Sequence, residues 1–328
     1  MTQPLNYTPK AIADLSAMAA VAEHTAPMTA IGLRYLVDKL RSAQVFVLFD
    51  SGQLLDRSKP RPELPGLVLR PPFPVVALEY ASASHEWGDS VYTMSKCSKR
   101  ISLAWDHKDD LPPFAERIMG GPLPPGVIIA SIPFYDSEGA WMPTAVAMHV
   151  EYDGDWIAQQ RDSNFRREMM AAGRMTKAVA ESRTLPGTAV PMSPETCIAA
   201  ISTVGGAQAM DMLAADVMDE AAAYMDLCWA LACKNISASE HPAPANLNRA
   251  RVRKGKEPLK PFHVLELAGN AVGTGDGTGS ISSRRAHLRR GHIRRLGPDR
   301  VTWVNQTMVH GRGAGFVEKI YSIGGRRA

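Results

Sequence analysis

With 328 residues, of which 45% are hydrophobic and 21% charged, the chain can bury a sizeable core as one large domain or two smaller ones, which excludes a disordered polyelectrolyte. A formal net charge of only +4 excludes a uniformly cationic surface, so any electrostatic function is regional. Cys97, Cys197, Cys228 and Cys233 form no CxxC pair, have no histidine at zinc-finger spacing and offer no disulfide framework, which reads as a reducing, cytosolic setting.

The first six residues, Met1-Thr2-Gln3-Pro4-Leu5-Asn6, carry no basic segment followed by an apolar core, so no secretory signal is expected. No stretch of ~18 consecutive apolar residues occurs, and no membrane contact is expected. Residues 8–23 read as an amphipathic helix with Thr8 as N-cap, Pro9 at the first helical position and a stripe of Ile12, Leu15, Met18 and Ala19. A second helix is expected over 29–42, burying Ile31, Leu33, Leu36, Val37 and Leu40. Residues 45–49 are five apolar residues bounded by turn formers, too short for a helix, and read as a buried strand.

Six prolines between 60 and 74 demand an extended loop, because each removes a ladder donor. Strands are expected at 74–80, 90–94, 100–105, 126–135 and 143–152. No long helix intervenes among them, so a mainly antiparallel sheet follows. The next third reads as helical. Residues 165–183 are strong helix formers interrupted by Gly173, and Ser193-Pro194-Glu195 is a helix start with a serine cap, proline at N1 and an acid near the positive end. Residues 207–235 hold neither glycine nor proline and show one broad apolar face from Met210 to Ala232. Its methionines allow an adaptable peptide groove, but a core helix on the sheet is the simpler reading.

Beyond His241-Pro242 the character changes. Asn248-Arg249-Ala250-Arg251-Val252-Arg253-Lys254-Gly255-Lys256 is a basic patch, 262–267 reads as a strand, and 269–279 is a glycine-rich linker. The last 48 residues carry eleven Lys/Arg against two acids, centred on 284–295. Gly297-Pro298-Asp299-Arg300 is a turn signal followed by the β-rich Val301-Thr302-Trp303-Val304, so the run reads as a folded basic hairpin. Pairing Leu296 with Val301 sets Arg294 opposite Trp303, His292 opposite Asn305 and His287 opposite His310, unless a bulge at Gly291 shifts the alternation. Neither face is cleanly apolar. The arginines therefore contact an anion such as RNA, with the Trp303 indole free to stack on a base, or pair with Asp211, Asp216, Asp219 and Glu220, or meet a protein partner.

The segments from Asn246 to Leu259 and from Ala286 to Leu296, with the following Val301-Thr302-Trp303-Val304-Asn305, resemble a C-terminal pattern common in a family of phage and mobile-element proteins. That family includes a type V-A anti-CRISPR protein. Its pattern has a Pro-His-x-Arg-Arg-Gly-His run, and Ala286 stands here in place of the proline. The match covers roughly the last 85 residues, and the first 190 show little of it. The resemblance implies a phage-encoded regulator in the host cytoplasm. Such a protein would recognise the N-terminal stretch of a newly made CRISPR nuclease and lower the level of its message during translation. RNA or the ribosome, and a protein or nascent-peptide target, are the partners so implied.

The expectation is thus an α+β protein: N-terminal helices, a mainly antiparallel sheet and a long helical segment in 1–240, then a basic region with linker and β-hairpin in 241–328. The candidate binding residues are Asn248, Arg249, Arg251, Arg253, Lys254, Lys256, His287, Arg289, Arg290, His292, Arg294, Arg295 and Trp303. No catalytic residue, metal or cofactor is expected. Two alternatives stand beside this non-enzymatic adaptor. One is a metal-independent ribonuclease in which His287, His292 or His310 act as base and acid while an arginine stabilises the phosphorane-like charge. The other is a phage accessory protein whose hairpin neutralises DNA.

Overall fold

The structure, a computed structural model, describes residues 6–56, 59–60, 69–82, 95–107, 111–158, 164–173, 175–267, 287–289, 292–297, 300–304 and 307–309. Two helices, α1 (Thr8–Ala22) and α2 (Pro27–Ser42), precede strands β1 (Gln44–Val47), β2 (Val75–Ala81) and β3 (Cys97–His107). Helix α3 (Ala115–Met119) leads to β4 (Gly126–Tyr135), β5 (Ala140–Trp141), β6 (Val146–Glu151) and the short β7 (Ile157–Ala158). Then come α4 (Asn164–Ala171), α5 (Lys177–Ala180), β8 (Arg183–Thr184) and β9 (Gly187–Pro191), followed by α6 (Pro194–Val204), α7 (Gly206–Ala215) and α8 (Met218–Leu231). The chain continues through β10 (Ile236–His241), α9 (Ala245–Arg253), β11 (Phe262–Leu267), β12 (His287–Arg289), β13 (His292–Gly297), β14 (Arg300–Val304) and β15 (Thr307–Val309).

Nine strands form one sheet in the order β10-β11-β1-β2-β3-β4-β6-β9, with β5 added beside β4. The sheet is mainly antiparallel, but β1 runs parallel to both β2 and β11. A parallel pair needs a crossover of a dozen or more residues, and the proline-rich stretch after β1 is that crossover. Alternation along β3 sorts the side chains into two layers. Ile101, Leu103 and Trp105 face α1 and α2, where Leu15, Leu33, Leu36 and Leu40 meet them. Ala104 shares the opposite face with Leu78 and Tyr80 of β2, covered by Tyr224, Leu227 and Cys228 of α8. The result is helix, sheet, helix, with a core on each side.

Both N-terminal helices are capped from a distance. Thr8 is the first residue of α1 and not its cap, contrary to the sequence reading. The Glu79 carboxylate of β2, fully buried, accepts from the Tyr7 N–H (2.7 Å), the Thr8 N–H (2.8 Å) and the Thr8 hydroxyl (2.7 Å). Burial pushes this carboxyl above its ordinary range, while the bonds from Thr8 and Tyr7 and the charge of Lys260 oppose that push. At α2 the same part is played by Glu195, which accepts from the N–H groups of Met28 and Thr29 at 2.9 Å and from the Thr29 hydroxyl at 2.7 Å. Desolvation raises the Glu195 carboxyl, but these bonds outweigh it and hold the carboxyl below its usual range. An acid in the first turn of its own helix thus also caps a neighbour, and the Ser193 side chain makes no cap bond.

The helical third differs from its reading in one respect that matters. Residues 207–235 form two helices, broken at Asp216 and Val217. Helix α7 packs with Ala145 and Val146 at the β6 end, whereas α8 lies across the sheet centre, so one straight helix cannot serve both. As expected of a core helix, α8 buries Tyr224, Leu227 and Trp229. Its Glu220, fully buried, pairs at 2.9 Å with Arg100 of β3, and the Ser102 hydroxyl donates to the Glu220 carbonyl oxygen at 2.9 Å. Glu220 is therefore held by Arg100, and among the described residues it pairs with no C-terminal arginine. Residues 165–183 break at Gly173, whose φ of +68° is left-handed, into α4 and α5. Ile31 is 40% exposed and not buried. The strand expected at 90–94 and the linker at 269–279 lie outside the described residues.

Candidate nucleic-acid interface

The basic patch at 248–256 is a helix and its terminator. Prolines 242 and 244 end β10 and set the entry to α9. At its far end Gly255 adopts φ +64°. The Lys256 N–H donates to the Arg251 carbonyl oxygen (3.0 Å) and the Gly255 N–H to that of Val252 (2.9 Å). This is a Schellman motif, and it explains the Arg-Lys-Gly-Lys run: glycine takes the left-handed position while cations sit at the negative end of the helix dipole.

Three of the expected binding residues here are engaged internally, and one of them, Arg249, donates to the Asn246 side-chain oxygen at 2.7 Å within α9. The Asn248 amide donates to the Leu259 carbonyl oxygen at 2.9 Å and accepts from the Leu259 N–H at 2.7 Å. The Arg251 Nε donates to the Glu257 carbonyl oxygen at 2.9 Å. Glu257 in turn pairs at 2.9 Å with Arg41 at the end of α2, and the Lys260 ammonium donates to the Ala43 carbonyl oxygen at 3.0 Å. These contacts fasten α9 to the body, with Asn248 and Arg251 as anchors. Arg249, Arg253, Lys254 and Lys256 are exposed, and among the described residues none of them makes an ion pair. Val252 (60%) and Leu247 (49%) are exposed among them.

The C-terminal strands pair with a register one residue away from that expected. His292 lies opposite Val304, Ile293 opposite Trp303, Arg294 opposite Thr302 and Arg295 opposite Val301, with an irregularity before Gly297↔Arg300. His287 lies opposite Val309 and Arg289 opposite Thr307. The cause is an extra residue at Leu296, next to the turn. A one-residue slip exchanges faces, and this one removes Arg294 from the face of Trp303. Arg294 is exposed, and among the described residues it pairs with none of Asp216, Asp219 and Glu220. Arg290 and His310 lie outside the described residues, and of His287, Arg289, His292 and Arg295 only the strand positions are described.

Trp303 corrects the base-stacking expectation. Its side chain is 5% exposed and packs with Leu55, Trp229 and Cys233. Asn235, between α8 and β10, holds its backbone. The Asn235 oxygen accepts from the Trp303 N–H at 2.8 Å and from the Thr302 hydroxyl at 3.1 Å, and the amide nitrogen donates to the Trp303 carbonyl oxygen at 2.9 Å. Beside the indole is an apolar cavity of about 30 Å³ lined by Val47, Leu48, Phe49, Leu54, Ala230, Ile236, Leu265, Glu266 and Trp303. It sits at the carboxyl ends of the parallel strands β1 and β11. Asn235 was not singled out by sequence, where it reads only as the last residue of a helical run.

Comparison with protein-family models, curated proteins and solved structures found no match. The geometry stands on its own. Among the described residues no group of three or more His, Cys, Asp and Glu side chains could hold a metal ion, and no helix is long and apolar enough to cross a membrane. The four cysteines form no disulfide and are buried, and burial pushes the Cys228 thiol up to about 12.

Charge separates along the chain. Residues 1–233 carry 19 Lys/Arg and 27 Asp/Glu, whereas 234–328 carry 18 and 6. Nets of −8 and +12 give the overall +4. Among the exposed described cations of the second part, Arg249, Arg253, Lys254 and Lys256 lie on or just after α9, which is tied to the body, and Arg294 lies on β13, whose partner β14 is anchored by Trp303. Such a surface can attract and hold an extended anion.

Proposed function

We propose that this chain is a non-enzymatic adaptor whose C-terminal cations contact RNA, free or on the ribosome, to lower expression of a host defence protein. The observation that carries the RNA contact is the anchored helix α9, which holds Arg249, Arg253, Lys254 and Lys256 in solvent with no ion-pair partner among the described residues. Burying a cation without a partner is unfavourable, and exposing several beside one another on a fixed scaffold favours a polyanion. The regulatory role and the phage origin rest on the resemblance of the C-terminal segments to the phage and mobile-element family.

The test is RNA binding measured against salt. Single-stranded RNA binding loses affinity with a log–log slope of roughly 0.7 per phosphate neutralised. Replacing Arg253, Lys254 and Lys256 by glutamine, with Arg294→Gln, is expected to weaken binding and flatten that slope by about two units or more. The same variant is expected to leave the ribosome fraction in sedimentation. An unchanged slope would reject the interface.

A further inference from the structure

We propose that Asn235 and Trp303 form a clasp that positions the basic strand pair β13–β14 for RNA, an inference that rests on the RNA-contact reading above. Among the described residues, no ladder joins β13–β14 to the nine-stranded sheet. What fastens the pair to the body, among the described residues, is one amide and one indole. Asn235 satisfies both the N–H (2.8 Å) and the carbonyl oxygen (2.9 Å) of Trp303, as a partner strand would. It also accepts from the Thr302 hydroxyl at 3.1 Å. The indole is buried with Leu55, Trp229 and Cys233.

The two strands divide the work. Trp303 of β14 faces the body, while Arg294, opposite Thr302 on β13, is exposed. The clasp therefore holds an arginine-bearing strand at a fixed place without using any of its charge. A binding surface that is ordered only part of the time loses affinity in proportion to the time it is disordered. Fixing it beforehand removes that loss. Asn235 is in this sense a positioning residue: it touches no ligand but decides where the cations stand.

The experiment uses the full chain and a short fluorescein-labelled single-stranded RNA, with anisotropy followed across a salt series and trypsin cleavage after Arg294 followed without RNA. Asn235→Ala and Trp303→Ala are expected to bind about tenfold more weakly, as for a strand pair docked a tenth of the time. Because no charge has changed and the docked state binds as before, they are expected to keep the wild-type salt slope, with faster cleavage and the wild-type melting curve for the body. Trp303→Phe, which keeps an apolar anchor and both backbone bonds, is expected to restore binding and resistance. A residue that merely stabilised the fold would lower the melt of the body, and faster cleavage after Arg294 would come only with that loss. If wild type binds and Asn235→Ala binds equally well with the same slope, the clasp is wrong and the RNA reading stands. Wild type that does not bind RNA overturns both.

Discussion

Substituting alanine for Gly32 sets two effects of known size against each other. Gly32 lies on the buried face of α2, and its φ is not left-handed. On propensity alone, Gly32→Ala would stabilise the helix by ~1 kcal/mol. The structure opposes that gain. A Cβ here would stand 1.9 Å from the Met192 carbonyl oxygen and 3.0 Å from its carbon. That carbonyl cannot retreat freely, because the Met192 and Ser193 N–H groups both donate to the Ala145 carbonyl oxygen, at 2.8 and 2.9 Å. Helix α2 must therefore move by more than an ångström. The movement loosens its contact with the sheet and stretches the Glu195 bonds to Met28 and Thr29. Overpacking of this kind costs ~1–3 kcal/mol, and a contact this short belongs at or above the upper end. The net expectation is a loss of about 2 kcal/mol, read as a lower urea midpoint at unchanged m-value. A variant as stable as wild type, or more so, would refute the packing of α2 against the turn before α6.

Two further predictions concern buried ionisable groups. Glu220→Gln removes the directly paired counter-charge of the Arg100 guanidinium, 5% exposed, leaving only the more distant charge of Asp219, and is expected to cost ~3 kcal/mol. The double change Arg100→Met with Glu220→Leu should recover much of that loss, and an additive double variant would contradict the pair. His149, 2% exposed, has its basicity lowered by burial, with a bond to the Pro124 carbonyl oxygen opposing and the neighbouring His107 adding. A histidine depressed in the folded state binds its proton more readily when unfolded. The stability it supports is full above the ordinary value of 6.5 and is lost as pH falls from there toward the folded value. Urea midpoints from pH 7.5 down to about 5 should therefore fall more steeply for wild type than for His149→Gln. Parallel curves would argue against a neutral buried imidazole.

The parts of this fold governed by local pattern were legible in the sequence. The stripe Ile12, Leu15 and Ala19 marked α1, and the apolar run from Gly126 to Tyr135 marked β4 residue for residue. What could not be read were contacts between distant segments. Nothing near Thr8 announces that its helix end is satisfied by Glu79, 71 residues on. Nor does Ser193-Pro194-Glu195 show that its acid caps α2. The split between α7 and α8 has no glycine or proline to mark it, because it follows from the two helices packing on different parts of the sheet. In the candidate interface the signal for α9 was present: Gly255 among basic residues is a helix terminator as much as a patch. The extra residue at Leu296 was not visible, and that single residue decides whether Arg294 or Ile293 stands opposite Trp303. Trp303 looked like a stacking platform because an aromatic among arginines fits RNA. Only the tertiary contact with Asn235 and Trp229 shows that it faces inward.

The central claim is that the C-terminal cations form a surface for RNA. It is tested most directly by one binding series: wild type and the Arg253, Lys254, Lys256 and Arg294 to glutamine variant, titrated against single-stranded RNA at several salt concentrations. Wild type is predicted to bind with a steep slope, and the variant to bind more weakly with a slope reduced by about two units or more. Equal slopes for the two proteins, or no binding by wild type at low salt, would contradict the account.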